Sequence, residues 1–427
     1  MRHETEMRER SLLSEGAWLA GLQGLAVLGQ LAGVRLLTEI LPPAVFGEFS
    51  LWLGIVALAA AGMANPTMQA MLRYYPEYAL QGKGGLVKTV ARGQLIKIIT
   101  WTLPAFLAGA TAALISGWAN MTVLGLWAAL VAVEIARMQN TALLNAARAH
   151  RAYGIWAVAE AWGRPVLAWT LVQLMGVSLT VVLAGFLLAS LCVWAAMRRF
   201  VPRDRTGHIA LTEHSALVGR FWKYSLPLLP LGLLGWVSGM ADRYLIGALL
   251  SPADVGLYVA IYGLASRPML MFGGIVENTT RPAYQSALAE EDNRRAHNYL
   301  RKWTLLIALG SLMAIALAWV GHSWLAHILL GQQYRGVSYL LPWIVGGYAL
   351  LALSDISTRV CYAHGATDRV LLIVLVGSIS ALIIGYSSIR AFGLAGAAMA
   401  VPLYYGAQLV ISFSVSRGYL RLGKSIH

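Results

Sequence analysis

The sequence predicts an all-α integral membrane protein with about twelve transmembrane helices in two six-helix lobes. The chain has 427 residues, of which 58% are hydrophobic and only 12% are charged, whereas soluble domains carry about 25% charged residues. Charge-free runs occupy residues 98–133, 165–197 and 303–334, and each exceeds the roughly 20 residues that one helix needs to cross a bilayer. Runs of this length exclude the short alternating strands of an outer-membrane barrel.

Turn residues locate the ends of the predicted spans. The segment Ser116-Gly117-Trp118-Ala119-Asn120 divides the first long run, and Gly176-Val177-Ser178 divides the second, because small and polar residues favour turns. We expect the spans at approximately 12–34, 45–72, 93–116, 121–147, 153–175, 178–197, 224–242, 255–280, 303–320, 338–363, 370–389 and 392–416.

The distribution of basic residues predicts the orientation of these spans. When the loops are taken alternately, the set that includes both termini contains 24 Lys and Arg residues, and the opposite set contains only Arg35, Arg243, Arg335 and Arg390. Loops rich in Lys and Arg stay in the cytoplasm, so we expect both termini and the larger loops there. The net charge of +14 then reflects orientation and contact with anionic lipid headgroups, and we expect no nucleic-acid partner.

A short internal repeat predicts the two lobes. The sequence PAVFGEF at residues 43–49 is echoed by PADVGLY at residues 252–258, an offset of 209, and Arg35 recurs as Arg243, an offset of 208. Six spans in each repeat would enter the membrane from the same face, as in parallel transporter repeats. We expect an N-terminal lobe at 1–197, a basic cytoplasmic linker at 198–223 and a C-terminal lobe at 224–427.

Several other classes of protein are disfavoured. Cys192 and Cys361 lie in apolar segments without Cys or His at ligand spacing, so we expect neither a disulfide framework nor a metal site. The charged N-terminal segment has no small-residue cleavage site, so we expect no cleaved signal peptide. No GxxxxGK[ST] loop occurs, which disfavours ATP hydrolysis. The predicted periplasmic loops are short and hold no paired-acid domain, so we expect a transporter and not an enzyme.

Six segments together resemble one transporter family. They are GVRLLTEILPPAVFGEF at 33–49, YSLPLLP at 224–230, ADRYLI at 241–246, VGLY at 255–258, RPAY at 281–284 and FGLAGA at 392–397. Their order and spacing are similar to those of the polysaccharide (Wzx-type) flippases of the MOP exporter superfamily, over essentially the whole chain. The resemblance implies a MOP/MATE-like fold.

The resemblance also implies a function. Such proteins move undecaprenyl-diphosphate-linked oligosaccharide from the cytoplasmic to the periplasmic leaflet of the bacterial inner membrane, for O-antigen, capsule or exopolysaccharide synthesis. A polysaccharide polymerase and a chain-length regulator are then candidate partners, in addition to membrane lipids. The alternatives are a MATE-type ion-coupled drug or cation antiporter, which would favour acidic lobes, and a MurJ-type lipid II flippase, which usually has additional spans.

Charged residues inside the predicted spans are candidates for function, because a charge there is costly and is expected to face a cavity or another charge. Three arginines have an acidic neighbour three or four positions away on the same helix. These pairs are Glu134 with Arg137, Glu160 with Arg164, and Asp355 with Arg359. Each pair would either fix helix packing or take part in ion coupling.

The remaining basic residues suggest an anion site. Arg267 lies near the middle of the eighth span with no carboxylate within four residues, and Arg35 and Arg243 end the first and seventh spans. Guanidinium groups bind phosphate oxygens through paired hydrogen bonds and keep their charge in an apolar cavity. We predict that Arg35, Arg164, Arg243 and Arg267 form a cationic cleft for the lipid diphosphate. The alternatives are an interfacial role for Arg35, a partner on another helix for Arg267, and pairing of Arg243 with Asp242.

Transport of a large polar headgroup needs a driving force. The candidates for coupling to H⁺ or Na⁺ are Glu134, Glu160 and Asp355, although their neighbouring arginines would keep them ionised; we expect no other cofactor. Tyr258 and Tyr262 are candidates for stacking on sugar rings, with an interfacial aromatic belt as the alternative.

Overall fold

The structure is a computed structural model that describes residues 2–203 and 211–421, and every regular element in these ranges is helical. Contacts between the helices divide the chain into two compact units. Unit 1 consists of Met1–Ile40 and Trp52–Leu233, and unit 2 consists of Leu41–Leu51 and Leu234–His427. The second and ninth helices therefore contribute residues to both units.

Unit 1 consists of long helices joined by short turns. It contains α1 (Arg2–Ile40), the end of α2 (Pro43–Met63), α3 (Asn65–Leu80), α4 (Gly84–Ile115), α5 (Met121–Ala146), α6 (His150–Met175), α7 (Leu179–Met197), α8 (Leu211–Ser225) and the start of α9 (Leu228–Leu249), with a 3₁₀ turn at Arg198–Phe200. The helix α6 packs between α1 and α7, and α5 also packs on α7. Buried side chains of α3, α4 and α8, including Tyr75, Leu86 and Phe221, form one apolar core.

Unit 2 contains the remaining helices. They are α10 (Pro252–Ala289), α11 (Asn293–Leu329), α12 (Leu341–Ala363) and α13 (Thr367–Arg421), with a 3₁₀ segment at Gln332–Leu340, most of α9 and the start of α2. The helices α10, α11 and α12 pack together, and α12 packs along α13. The start of α2 is held in unit 2 by two hydroxyl donors, since Tyr334 donates to the Leu41 carbonyl and Tyr244 donates to the Leu51 carbonyl, each at 2.8 Å.

The number of spans matches the predicted fold class. Ten stretches of the described residues are long and apolar enough to cross a membrane. The helix α13 is divided into two spans at Gly393, where φ is 57°, and α6, which carries Glu160 and Arg164, is not among the ten. With these two additions the described residues contain twelve spans, and the predicted all-α multi-pass membrane fold is confirmed.

Side-chain caps begin the helices that follow the predicted turns. The side chain of Asn120 accepts a hydrogen bond from the Val123 amide at 2.9 Å, and that of Ser178 accepts one from the Val181 amide at 3.3 Å. Such caps satisfy amides that the first turn of a helix leaves without a partner. Gly176, with a φ of 87°, ends α6. Both predicted breaks are confirmed.

The predicted linker is partly helical. Residues 204–210 lie outside the described residues, and residues 211–223 belong to α8. The predicted lobe boundaries, like the predicted orientation, stay predictions.

The two copies of the internal repeat touch one another inside unit 2. A Cβ atom on Gly47 of α2 would overlap the carbonyl oxygen of Pro252, and a Cβ atom on Gly256 of α10 would overlap the carbonyl oxygen of Pro43. The contact is therefore reciprocal, as it is when two equivalent segments meet across a twofold axis. Glycine is required at both positions because the two backbones approach too closely for any side chain.

A methyl group at this crossing should destabilise the protein. We expect Gly47→Ala to lower the midpoint of thermal unfolding of the full chain in detergent, because overpacking of this kind costs about 1–3 kcal/mol. Gly235→Ala is the matched control, since a Cβ atom there would meet nothing within 4 Å and alanine favours the helix. A midpoint for Gly47→Ala that equals or exceeds that of the control would contradict the close crossing.

Candidate functional site

Four charged side chains of unit 1 form a closed ion network. Arg164 Nη2 lies 3.0 Å from Glu134 Oε2 and 3.3 Å from Glu160 Oε1. Arg137 pairs with Glu134, and its Nη1 lies 3.3 Å from Glu160 Oε2. Arg164 Nε also donates to the hydroxyl of Ser190 at 3.0 Å. Each arginine contacts both carboxylates. Because the network contains two arginines and two glutamates, it carries no net charge.

Helix packing assembles this network from three elements. Glu134 and Arg137 lie three residues apart on α5, Glu160 and Arg164 lie four residues apart on α6, and Ser190 comes from α7. The predicted pairs of Glu134 with Arg137 and of Glu160 with Arg164 are confirmed. The structure joins these two pairs across the α5–α6 contact. The two carboxylate side chains are only 17% and 10% exposed, and buried charges of this kind need partners. A phosphate that approached Arg164 would compete with these carboxylates.

A second polar group lies in unit 2 around Asp242 and Arg243 of α9, which are 8% and 9% exposed. Asp242 accepts hydrogen bonds from the Arg243 amide at 2.8 Å and from the Tyr258 hydroxyl at 2.6 Å. The Arg243 guanidinium lies over the Tyr262 ring, 4.7 Å from its centroid, and donates to Met240 Sδ, while its Nε has no acceptor among the described residues. No direct guanidinium–carboxylate bond joins Arg243 to Asp242 in the described structure, but the two opposite charges lie close enough to attract each other, as the alternative required.

Tyrosines enclose this group. The Tyr348 hydroxyl donates to that of Tyr262 at 2.7 Å, and Tyr405 packs edge-on against both Tyr348 and Tyr404. The Tyr404 hydroxyl is buried and has no hydrogen-bond partner in the described part of the chain. Because Tyr258 and Tyr262 are also buried, neither belongs to an interfacial belt, and neither presents an open face to a sugar in this conformation.

The four arginines predicted as a cleft fall into different surroundings. Arg35 lies 2.8 Å from Glu39, one turn further along α1, and Arg164 belongs to the closed network. Arg267 is partly buried on α10. Arg243 and Arg267 therefore both lie in unit 2, with the Asp242 carboxylate beside Arg243.

A pocket of about 180 Å³ lies in unit 2 between α10, α11 and α12, and its walls include Glu277, Tyr348, Asp355 and Arg359. Arg359 Nε and Arg281 Nη1 lie 2.8 Å and 3.0 Å from the same Glu277 oxygen. The predicted pairing of Asp355 with Arg359 is therefore wrong. Arg359 of α12 pairs with Glu277 of α10 and not with Asp355 of its own helix. Asp355 lines the pocket beside this group.

Glu277, which pairs with Arg281 and Arg359, was not predicted from the sequence as a site residue. It lies inside the span predicted at 255–280 and four positions before Arg281, so a carboxylate within a span at helical pair spacing was the available signal. Ser190 and Tyr348 gave no such signal, because hydroxyl groups are common in apolar helices and their partners come from other helices.

Comparison with known proteins identifies the family and the fold. A sequence profile described as "Polysaccharide biosynthesis protein" matches residues 95–339, more than half of the chain. Among solved structures, an inward-facing multidrug resistance MATE family transporter of the MOP superfamily has a TM-score of 0.72 at 16% identity and covers 94% of each chain. No curated protein matches.

Two further solved structures show the same fold. The lipid II flippase MurJ, in an inward closed conformation, has a TM-score of 0.72 at 10% identity and covers 93% of this chain and 86% of its own. A MOP superfamily transporter from Pyrococcus furiosus has a TM-score of 0.62 at 16% identity and covers 99% of this chain and 94% of its own. The resemblance to the MOP superfamily is therefore confirmed at the level of fold.

Removing one charge from the ion network should destabilise unit 1. We expect Glu134→Gln to lower the thermal unfolding midpoint strongly, because leaving a buried charge without its partner costs about 3–5 kcal/mol. The double variant Glu134→Gln/Arg137→Gln should recover part of this loss, because it restores neutrality.

The exposed pair of Arg35 with Glu39 supplies the control. Glu39 is 54% exposed, and exposed ion pairs contribute about 0–1 kcal/mol, so Glu39→Gln should leave the midpoint nearly unchanged. Equal effects of Glu134→Gln and Glu39→Gln would show that the network does not stabilise the fold.

Proposed function

We propose that this chain, which belongs to the polysaccharide biosynthesis protein family, is a flippase for lipid-linked oligosaccharide. The substrate would be an undecaprenyl-diphosphate-linked oligosaccharide, moved from the cytoplasmic to the periplasmic leaflet of a bacterial inner membrane for the synthesis of a surface polysaccharide. In this proposal both termini lie in the cytoplasm, and the protein transports its substrate without chemical change, so it is not an enzyme.

The family match is the observation that carries the proposal. The matched residues, 95–339, begin in α4 and end before α12. They therefore include the unit 1 ion network, the Asp242–Arg243 group, Arg267 and Glu277. The part of the chain that relates it to polysaccharide synthesis is the part that holds most of its intramembrane charge.

The fold alone does not choose between transport functions. The MATE transporter and MurJ match with the same TM-score of 0.72, although one is a multidrug resistance transporter and the other a lipid II flippase. A drug antiporter and a lipid II flippase are thus equally compatible with the fold, and the family match favours the lipid-linked oligosaccharide over both.

Arg243 and Arg267 are the arginines that we propose to bind the diphosphate. Both arginines lie in unit 2, and a doubly charged diphosphate would neutralise both guanidinium groups. The Arg243 Nε is a donor without an acceptor among the described residues, so a phosphate oxygen could accept from it without displacing a carboxylate. Arg35 and Arg164, which were predicted to share this role, would first have to release Glu39 or the ion network.

The pocket beside Asp355 is the proposed site of ion coupling to H⁺ or Na⁺. It brings two carboxylates, Asp355 and Glu277, together with Arg359. Of the three candidate carboxylates, Glu134 and Glu160 are each held by two arginines, whereas Asp355 lies on an accessible cavity wall. A carboxylate that can gain and lose a cation within a membrane is a suitable coupling group.

Deletion of the gene tests the proposed function. We expect the deleted strain to lose surface polysaccharide and to accumulate a prenyl-diphosphate oligosaccharide in the cytoplasmic leaflet, measured by lipid extraction and mass spectrometry. A polymerase and a chain-length regulator encoded nearby would then be the protein partners. Normal polysaccharide in the deleted strain, or accumulation of a drug in its place, would contradict the proposal.

Variants of the two arginines test the binding site in the same strain. We expect Arg267→Gln and Arg243→Lys to restore less than a tenth of the polysaccharide that the unchanged gene restores, because the paired hydrogen bonds of each guanidinium contribute about 1.5–3 kcal/mol. The control is Arg390→Gln, since Arg390 is exposed and bonded to Tyr386. Equal complementation by all variants at equal amounts of membrane-inserted protein would exclude Arg243 and Arg267 as binding residues.

A change at Asp355 tests ion coupling. In vesicles that contain the purified chain, we expect an imposed proton or sodium gradient to accelerate transport by the unchanged protein and to leave Asp355→Asn unaffected, because the amide cannot exchange a cation. Asp368→Asn is the control, since Asp368 is exposed in the first turn of α13. Transport by Asp355→Asn that still follows the gradient would place the coupling group elsewhere.

A further inference from the structure

A second cavity lies in unit 1, on the side of α4 that faces α8. It has a volume of about 130 Å³, and its walls include Thr89, Gln94, Lys97, His214 and Trp222. The flippase proposal makes no use of this groove, which lies entirely within unit 1 and apart from the ion network. Its walls combine polar side chains with the apolar side chains of Val90, Val218 and Phe221.

The groove contains a buried acceptor without a donor. Gln94 is 3% exposed, its Nε2 donates to the Ser225 hydroxyl at 2.5 Å, and its Oε1 has no hydrogen-bond partner within residues 2–203 and 211–421. A buried carbonyl oxygen without a donor costs about 1–3 kcal/mol. A ligand that brings a hydroxyl group into the groove would satisfy it.

The Lys97 ammonium group at the groove has no acidic partner among the described residues. The nearby carboxylate of α8, Glu213, lies 2.7 Å from Lys83 Nζ and is already engaged. Lys97 is exposed and His214 is half-buried, and neither forms an ion pair among the described residues. The exposed Arg220 on α8 adds a further positive charge. The groove is therefore suited to an anion.

The helix α8 carries basic residues on its exposed faces. Leu217 and Phe221 on one face are completely buried in the core that α8 shares with α3 and α4, while Ser215, Arg220 and Lys223 on other faces are exposed. Clusters of exposed Lys and Arg next to an apolar span attract anionic lipid headgroups. The groove that α8 forms with α4 is flanked by such residues.

We propose that this groove binds the headgroup of one anionic phospholipid of the phosphatidylglycerol type. Its phosphate lies between Lys97 and His214, and a glycerol hydroxyl donates to Gln94 Oε1. The acyl chains lie against Trp101 and Trp222, whose rings are 5.1 Å apart. Trp101 is 65% exposed. The acyl chains of a lipid would cover this apolar ring, whereas a free phosphate ion would not.

Native mass spectrometry of the full chain in detergent tests this site. The probes are phosphatidylglycerol, phosphatidic acid, which lacks the glycerol hydroxyl, and phosphatidylcholine, which has no net charge and no donor. We expect the tightest binding for phosphatidylglycerol, weaker binding for phosphatidic acid, and the weakest for phosphatidylcholine. Lys97→Gln should weaken phosphatidylglycerol binding about fivefold, as expected for the removal of one cation near a lipid surface.

Two controls make the result decisive. Lys302→Gln removes an exposed lysine from α11 and should leave phosphatidylglycerol binding unchanged. Gln94→Leu should abolish the preference for phosphatidylglycerol over phosphatidic acid. A variant that only disturbs the packing of α8 should weaken the binding of both lipids equally. The proposal is overturned if Lys97→Gln and Lys302→Gln bind the lipid equally, or if millimolar inorganic phosphate displaces it, since that would identify a phosphate site and not a lipid site.

Discussion

The hydrocarbon core of a membrane offers no counter-charge and no hydrogen bonds, so each ionic group on a spanning helix must find its partner within the protein. This constraint explains the arrangement of charge in the chain. In unit 1, two arginines and two glutamates share one closed network across α5 and α6. In unit 2, Glu277 forms ion pairs with Arg281 of α10 and Arg359 of α12, while the guanidinium of Arg243 lies over the ring of Tyr262. The groups that remain incompletely satisfied are the ones able to respond to a ligand.

The two units meet this constraint differently. The unit 1 network is neutral and saturated, which is appropriate for a group that holds helices together. Among the described residues, unit 2 retains a donor without an acceptor at Arg243 Nε, the guanidinium of Arg267, and a carboxylate-lined cavity at Asp355. A buried N–H donor without an acceptor is costly unless a ligand supplies one. The proposed flippase therefore uses unit 2 for recognition of the anionic lipid and for coupling.

Much of the fold could be predicted because it follows from local sequence. The turns at 116–120 and 176–178 and the twelve spans depend on hydropathy, glycine and capping residues that act over a few positions. The reciprocal contact of Gly47 with Gly256 joins segments that are 209 residues apart, yet the repeat identified both of them. Spacing on one helix likewise predicted the pairs Glu134–Arg137 and Glu160–Arg164.

The parts of the site that the sequence did not predict depend on contacts between helices. Arg359 pairs with Glu277 of α10 rather than with Asp355 on its own helix, and Arg164 reaches Glu134 on α5 as well as Glu160. The tyrosines around Arg243 come from three helices, and nothing in the separation of Tyr262 from Tyr348 indicates that their hydroxyls bond. Side-chain partners across helices are set by packing, which local patterns do not encode.

Direct observation of lipid movement tests the central claim, that buried guanidinium groups exist to receive a negatively charged headgroup. The purified chain would be reconstituted in vesicles with a labelled prenyl-diphosphate saccharide in one leaflet, and with a prenyl-linked saccharide that carries no phosphate as the comparison. A membrane-impermeant reagent would report the leaflet of each lipid over time. We expect the protein to accelerate movement of the diphosphate lipid and not of the uncharged one. Equal acceleration of both lipids, or of neither, would contradict it.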